Sequence, residues 1–222
     1  MSAGIEDEPA LTGAARVGDI GADAIGGEAA LDGTPEAELD KVRLASYLRE
    51  MWNRPPCGNA LLRFLGLCAA SGVFAVLCAI VKGTLGFGLL AISIGAPVIE
   101  ETAKVILPLM CLEKKPWQFR SAIAIASACI VSALVFATIE NLLYFFVYIP
   151  KERLGDGIIM FRLTVCTTMH VGCATISACG LVRAWREARG KLCDFSTATA
   201  LPYLVVAMAI HGLYNGIAIF AG

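Results

Sequence analysis

The chain has 222 residues, of which 57% are hydrophobic and only 17% are charged, and its mean hydropathy is +0.70. These values exclude an ordinary soluble domain and indicate a polytopic membrane protein. The formal net charge is −1, and the basic residues are grouped as topogenic charges are, so nothing indicates a nucleic-acid partner.

The chain begins with an acidic tail. Residues 1–40 carry ten acidic side chains and a single cation, Arg16, in a stretch rich in Gly and Ala. This segment has little to bury and is predicted to be disordered. It lacks the cationic start and apolar run of a signal peptide. Residues 41–58 are basic and amphipathic and predict an interfacial segment, and residues 59–222 predict a transmembrane helical domain.

Five apolar stretches are long enough to cross a hydrocarbon core of about 30 Å, which takes roughly 20 helical residues. They lie at 60–81, 84–112, 119–149, 158–182 and 198–220. We therefore predict an all-α fold, a polytopic transmembrane helix bundle of about five spans. The second stretch is long for one span. We expect it to tilt, to kink at Pro97 and Pro108, or to break near 95–97.

Cations are concentrated on one side of these spans. They precede the first span and follow the second and the fourth, whereas the other side carries few, diluted by Glu152 and Asp156. The positive-inside rule then predicts a multi-pass protein of the cell membrane with a cytoplasmic N-terminus.

Ionisable groups occupy the middle of four of these spans. Each such group costs on the order of 2.5–3.5 kcal/mol on insertion scales, so it needs a partner, a water-filled cavity or a task. The chain has only two histidines, and both lie in apolar segments. Polar groups at one depth on four helices predict a functional site. Its ionisable members are Glu100, Glu101, Lys104, Glu140, His170 and His211.

The second span carries two adjacent glutamates and a lysine. Lys104 lies four residues after Glu100 and three after Glu101, so it can face both carboxylates. An ion pair accounts for one glutamate but leaves the second without a counter-charge. That second carboxylate suits a general base.

The later spans carry an acceptor and a donor pair. Taken alone, Glu140 could be a structural acceptor bonded to Tyr144 or a serine, and His170 could bond a neighbouring backbone group or hydroxyl. His211 and Asn215 share a helix face at i,i+4 and could hold a carbonyl oxygen as negative charge develops on it. Together these residue types can hydrolyse a peptide bond with activated water. The GxSxG and HExxH motifs are absent.

The motifs follow a recognisable order along the chain. They are Glu-Glu-x-x-Lys at 100–104, Phe-x-x-x-Glu-Asn at 136–141, a lone histidine at 170 and His-x-x-x-Asn at 211–215. This order resembles the PrsW family of intramembrane proteases, part of the wider group of CAAX prenyl endopeptidases and bacteriocin-processing proteins. The resemblance covers about residues 84–220. The CAAX branch usually ends the second motif in histidine, whereas Glu140 is the PrsW form.

The resemblance implies an intramembrane endopeptidase that cleaves a single-pass membrane protein, such as an anti-sigma-type regulator. It implies that Glu100 activates the attacking water and that Glu101 and Lys104 tune this glutamate. His211 and Asn215 would then stabilise the oxyanion. The role of the second motif's glutamate does not transfer simply from the CAAX branch.

Two mechanisms stay open at this point. In one, which we prefer from the sequence, Glu100 is a general base without a metal, and His170 positions water. In the other, carboxylates and histidines hold Zn²⁺ with an open position for water. The ligands of that second mechanism would be Glu100, Glu140, His170 and His211.

Two other classes of function fit parts of the pattern. The superfamily includes a non-catalytic subunit of gamma-secretase, so the cluster could be a polar network that fixes helix packing. Glutamate and histidine in the middle of a membrane are also what a proton-coupled transporter uses. Five spans without an internal repeat are few for a transporter.

Overall fold

The computed structural model describes residues 35–55, 60–84 and 91–221, and every regular element in these ranges is helical. The prediction of an all-α fold is confirmed for this part of the chain. The helices are α1 (Pro35–Asn53), α2 (Ala60–Thr84), α3 (Ala96–Lys114), α4 (Ala122–Leu143), α5 (Asp156–Phe161), α6 (Thr167–Lys191) and α7 (Thr197–Ala221).

Three helical stretches among the described residues are long and apolar enough to cross a membrane. They are Ala122–Tyr148, Asp156–Lys191 and Thr197–Ala218, and they correspond to the third, fourth and fifth predicted spans. In α2 the apolar stretch is shorter, Phe64–Leu77. The start of the second predicted span, residues 85–90, lies outside the described residues. The total of five spans therefore stays a prediction.

The acidic tail lies mostly outside the described residues, which begin at Pro35. Residues 35–40, assigned to the tail from their composition, belong to α1. Proline suits the first position of a helix because its φ angle is already fixed and its missing N–H would have no partner there. The contacts divide the chain into Met1–Ser46 and Tyr47–Gly222, and α2–α7 all lie in the second unit.

Three π-helical turns adjoin the helices of the second unit. Ala91–Gly95 leads into α3, Tyr144–Tyr148 continues α4, and Arg162–Cys166 joins α5 to α6. Gly95 has φ −64° and ψ −40°, so the backbone stays helical where a break was one expectation. Such turns place one extra residue in the helix and often occur at functional sites.

Pro108 leaves a carbonyl group of α3 without its usual partner. Proline has no N–H, so it cannot donate to the carbonyl of Lys104 one turn earlier. The hydroxyl of Ser71 on α2 donates to this carbonyl at 2.6 Å, and that of Ser132 on α4 at 2.8 Å. Both serines are buried. The proline therefore gives α2 and α4 a common anchor on α3, at the residue that carries the buried lysine.

We expect the double substitution Ser71→Ala/Ser132→Ala to destabilise the fold by about 1–3 kcal/mol, because a buried carbonyl loses its partners. The free energy of unfolding in mixed micelles measures this loss. In a Pro108→Ala background the amide of residue 108 can donate to Lys104, so the same two substitutions should cost clearly less. An equal cost in both backgrounds would contradict this explanation.

Candidate active site

Glu101 accepts hydrogen bonds from two other site residues through a single oxygen. Its Oε1 lies 2.7 Å from Nζ of Lys104 and 2.7 Å from Nδ1 of His211. The Glu101 and Lys104 side chains are both 0% exposed. Because an ionised carboxylate only accepts hydrogen bonds, Nδ1 of His211 carries the proton and Nε2 is left with a lone pair.

Lys104 uses all three of its N–H donors inside the cluster. One bond goes to Glu101, the second to Nδ1 of His170 at 2.8 Å, and the third N–H faces the ring of Phe136, whose centroid is 4.2 Å from Nζ. A buried ammonium group is tolerated when each donor has a partner. The lysine was expected to face both glutamates, and the ion pair in the structure is the one with Glu101.

His170 connects this group to α4. Its Nε2 lies 3.1 Å from Oε2 of Glu140. Its ring packs edge-on against Phe136 and against His211, with centroid distances of 4.9 and 5.0 Å. The side-chain cluster therefore joins α3, α4, α6 and α7 through direct contacts.

Glu100 lies on the other side of the His211 ring from Glu101. Its Oε2 is 3.7 Å from Nε2 of His211, and the residue is 5% exposed. Glu100, His170 and His211 can each bring one ligand atom within 4.8 Å of the others, and all three residues are buried. Two imidazoles and a carboxylate are ligands that Zn²⁺ accepts. Glu140, the fourth ligand in the predicted set, is not part of this group.

Asn215 is placed one helical turn after His211 on α7 and is half-buried. The structure thus positions all seven predicted site residues on α3, α4, α6 and α7, as the order of the motifs implied. Six of them are linked by the contacts described above.

Arg162 and Asn141 also belong to this region, and neither was among the predicted site residues, although Asn141 ends the second motif. Arg162 donates through Nη2 to Glu140 and through Nε to Asn141, each at 3.1 Å. The sequence interpretation counted its charge among the few cations on the side of the membrane opposite the N-terminus. A signal was present, because Arg162 lies inside the fourth predicted span, where a cation is costly.

A close helix contact sets the position of His211. A Cβ atom added at Gly212 would overlap the backbone oxygen of Ser93, in the π-helical turn before α3. Glycine is therefore needed for α7 to approach this turn. The same approach brings His211 to the glutamates of α3. The neighbouring Gly216 is less constrained, since its added Cβ would be 3.9 Å from Oγ of Ser93.

Gly212→Ala should therefore separate α7 from α3, which weakens the contact between His211 and Glu101. We expect a loss of about 1–3 kcal/mol in unfolding free energy, as for other overpacked positions, and a large loss of activity. Gly66→Ala is the matched control, since no atom lies within 4 Å of a Cβ added there. Equal behaviour of the two variants in thermal unfolding would contradict the prediction.

Comparison with known proteins gives one match. Residues 58–222 match the family described as PrsW family intramembrane metalloprotease. No curated protein and no solved structure matches the chain. The matched region covers well over half of the sequence and includes every helix that carries the cluster around Lys104. From this match we conclude that the chain belongs to the PrsW family of intramembrane metalloproteases and is thus a membrane peptidase.

Proposed function

We propose that the protein hydrolyses a peptide bond of a membrane-anchored protein, with Glu100 as the general base for the attacking water. The observation that carries this proposal is that the two adjacent glutamates lie at different nitrogens of the His211 ring. Glu101 is bound to Lys104 and His211 through one oxygen. Oε2 of Glu100 lies 3.7 Å from Nε2 of His211.

These contacts suggest different roles for Glu101 and Glu100. The charge of Glu101 is balanced by Lys104, and this pair orients both histidines. A carboxylate fixed in this way is poorly suited to collect a proton during the reaction. Glu100 lies beside Nε2 of His211, within the group of residues that could hold a metal ion, so we assign it to binding water and taking its proton.

The same residues fit a divalent metal ion, and the family description favours the metal-assisted form of the two mechanisms. In that form Glu100 and His211 would hold the ion, joined by His170 once Lys104 or Glu140 releases a ring nitrogen, and Zn²⁺ is the ion that suits these ligands. The chemistry that Zn²⁺ supplies when bound is the activation of water for attack at neutral pH. Glu101 supports this role, because a carboxylate that accepts from Nδ1 leaves Nε2 of a histidine as the ligand atom.

The oxyanion role implied for His211 is less well supported by its contacts. With its proton on Nδ1, bound to Glu101, the histidine has no N–H left at Nε2 to donate to a carbonyl oxygen. We therefore propose that Nε2 of His211 faces the metal ion and Glu100, and that it does not donate to the oxyanion. Asn215, one turn further along α7, is the amide donor that we assign to the oxyanion.

The substrate in this proposal is a single-pass protein of the same bilayer, of the kind represented by anti-sigma-type regulators. The protein itself would be a multi-pass protein of the cell membrane, with five spans and a cytoplasmic N-terminus. Two features support this arrangement: the positive charges on one side of the predicted spans, and the buried site on helices that are apolar elsewhere.

The test uses membranes from cells that lack the protein. These membranes are incubated with purified wild type or with Glu100→Gln, and new protein termini are identified by mass spectrometry. We expect termini within or beside transmembrane segments with the wild type alone. If equally folded wild type and variant give the same termini, the proposal is wrong, and a scaffold or transporter function gains support. Proton flux in liposomes that depends on Glu100 would favour the transporter.

A further inference from the structure

Arg162 occupies an unusual position for an arginine in an apolar helix. It begins the π-helical turn Arg162–Cys166, eight residues before His170, and its side chain is only 13% exposed. A guanidinium group that leaves water needs several partners at once, because its planar fork carries five N–H donors. The structure supplies partners on three sides.

The first partners are polar groups of α4. Arg162 donates from Nη2 to Oε2 of Glu140 at 3.1 Å and from Nε to Oδ1 of Asn141 at 3.1 Å. The third partner is aromatic, since the guanidinium carbon lies 3.3 Å from the centroid of the Tyr144 ring. Lysine could not reproduce this set, because its ammonium group has neither the planar face nor the fork.

The backbone of Arg162 is fixed as well as its side chain. Its carbonyl accepts from Nδ2 of Asn141 at 3.4 Å and from the hydroxyl of Thr167 at 3.2 Å. Asn141 also donates to that hydroxyl at 3.2 Å. Arg162 is therefore a rigid point between α4 and the start of α6.

Arg162 affects the site through its contact with Glu140. The oxygen that accepts from Arg162 is the same Oε2 that lies 3.1 Å from Nε2 of His170. A shift of the Arg162 side chain would therefore move the Glu140 carboxylate that contacts the His170 ring. On the other side of the ring, Lys104 contacts Nδ1 at 2.8 Å. The His170 ring therefore contacts one cation, Lys104, directly and is linked to a second cation, Arg162, through Glu140.

From this geometry we infer that Arg162 is a positioning residue of the peptidase, which acts by holding Glu140 against His170. The predicted effect of Arg162 on the reaction rests on the proposed function, whereas its predicted effect on the His170 ring rests on the contacts alone. Outer partners of site histidines typically contribute about 10- to 100-fold to activity or metal affinity. Arg162→Met should therefore lower kcat by about 10- to 100-fold with little change in KM.

The test has a readout that does not depend on cleavage. Because the chain has only two histidines, protein labelled with ¹⁵N-histidine gives ring-nitrogen resonances from His170 and His211 alone. Single-histidine variants assign them. We expect Arg162→Met to shift both nitrogens of His170 and to leave those of His211 in place. Arg153→Met, which removes an exposed cation before α5, should shift neither and should keep the wild-type kcat.

Arg162→Lys covers the case in which the methionine variant does not fold. It keeps the charge but loses the fork, so we expect it to shift the His170 nitrogens and to lower kcat less than methionine does. Unchanged His170 resonances in the folded variants would overturn the inference, whatever their activity. Equal shifts at His211 would also overturn it, since they would indicate a general structural role. If the wild type cleaves nothing, the proposed function fails, and the resonances still decide the link from Arg162 to His170.

Discussion

Glu100→Gln is expected to abolish measurable cleavage while the fold is retained. Glutamine has nearly the same shape but cannot take a proton from water, and general-base catalysis typically contributes about 10²- to 10⁴-fold. Stability should change by no more than about 1 kcal/mol, in the range of ordinary substitutions. The reason is that glutamine keeps the shape of glutamate and one acceptor oxygen, so the packing around position 100 is retained.

The measurement is kcat on a substrate reconstituted in lipid vesicles, with the unfolding free energy determined on the same preparations. Glu113→Gln is a matched control, because Glu113 lies on the same helix and is exposed. Activity in Glu100→Gln close to wild type would remove Glu100 from the role of general base. Equal inactivation of both glutamine variants would point to a general effect on α3.

Lys104→Met is expected to have the largest effect on stability. It removes the counter-charge from Glu101, whose side chain is 0% exposed, and leaves a carboxylate in apolar surroundings. Breaking a buried pair from one side typically costs about 3–5 kcal/mol. A loss of that size is comparable with the whole stability of many domains. We therefore expect little folded protein at the growth temperature.

The double variant Glu101→Gln/Lys104→Met separates the charge effect from the loss of packing. It removes both charges and retains side chains of similar size, so it should recover most of the unfolding free energy. It should stay inactive, because His211 and His170 lose the partners that orient them. A double variant no more stable than Lys104→Met would show that the ion pair is not the source of the loss.

The helices could be predicted from the sequence because apolar runs and turn residues mark them clearly. The predicted third span began at residue 119, and α4 begins at Ala122, after Ser121 accepts a hydrogen bond from the amide of Ala124 at 3.1 Å. The residues of the site could also be predicted, since buried charges are rare in apolar helices. Which of them pair could not be predicted. Lys104 can reach Glu100 and Glu101 equally well by helix spacing, and contacts from other helices decide between them.

Arg162 shows a second limit of sequence periodicity. The π-helical turns after Glu140 and before His170 each add a residue to the local repeat, so a face followed at 3.6 residues per turn is lost across them. The partner of Arg162 lies 22 residues earlier in the chain. No local pattern links the two, and only the packing of α4 against the start of α6 brings them together.

The contact between Glu101 and His211 joins residues 110 positions apart, which has a consequence for biosynthesis. Chains fold in the order in which they are made, so α3 is complete well before α7 leaves the ribosome. During that interval Glu101 has only Lys104, three residues away, to offset the cost of entering the bilayer. The ion pair with Lys104 thus lowers the cost of inserting α3 of the nascent chain into the bilayer. His170 and His211 complete the site only after α6 and α7 have been made. A chain truncated before α7 would carry both glutamates without the ability to cut its neighbours.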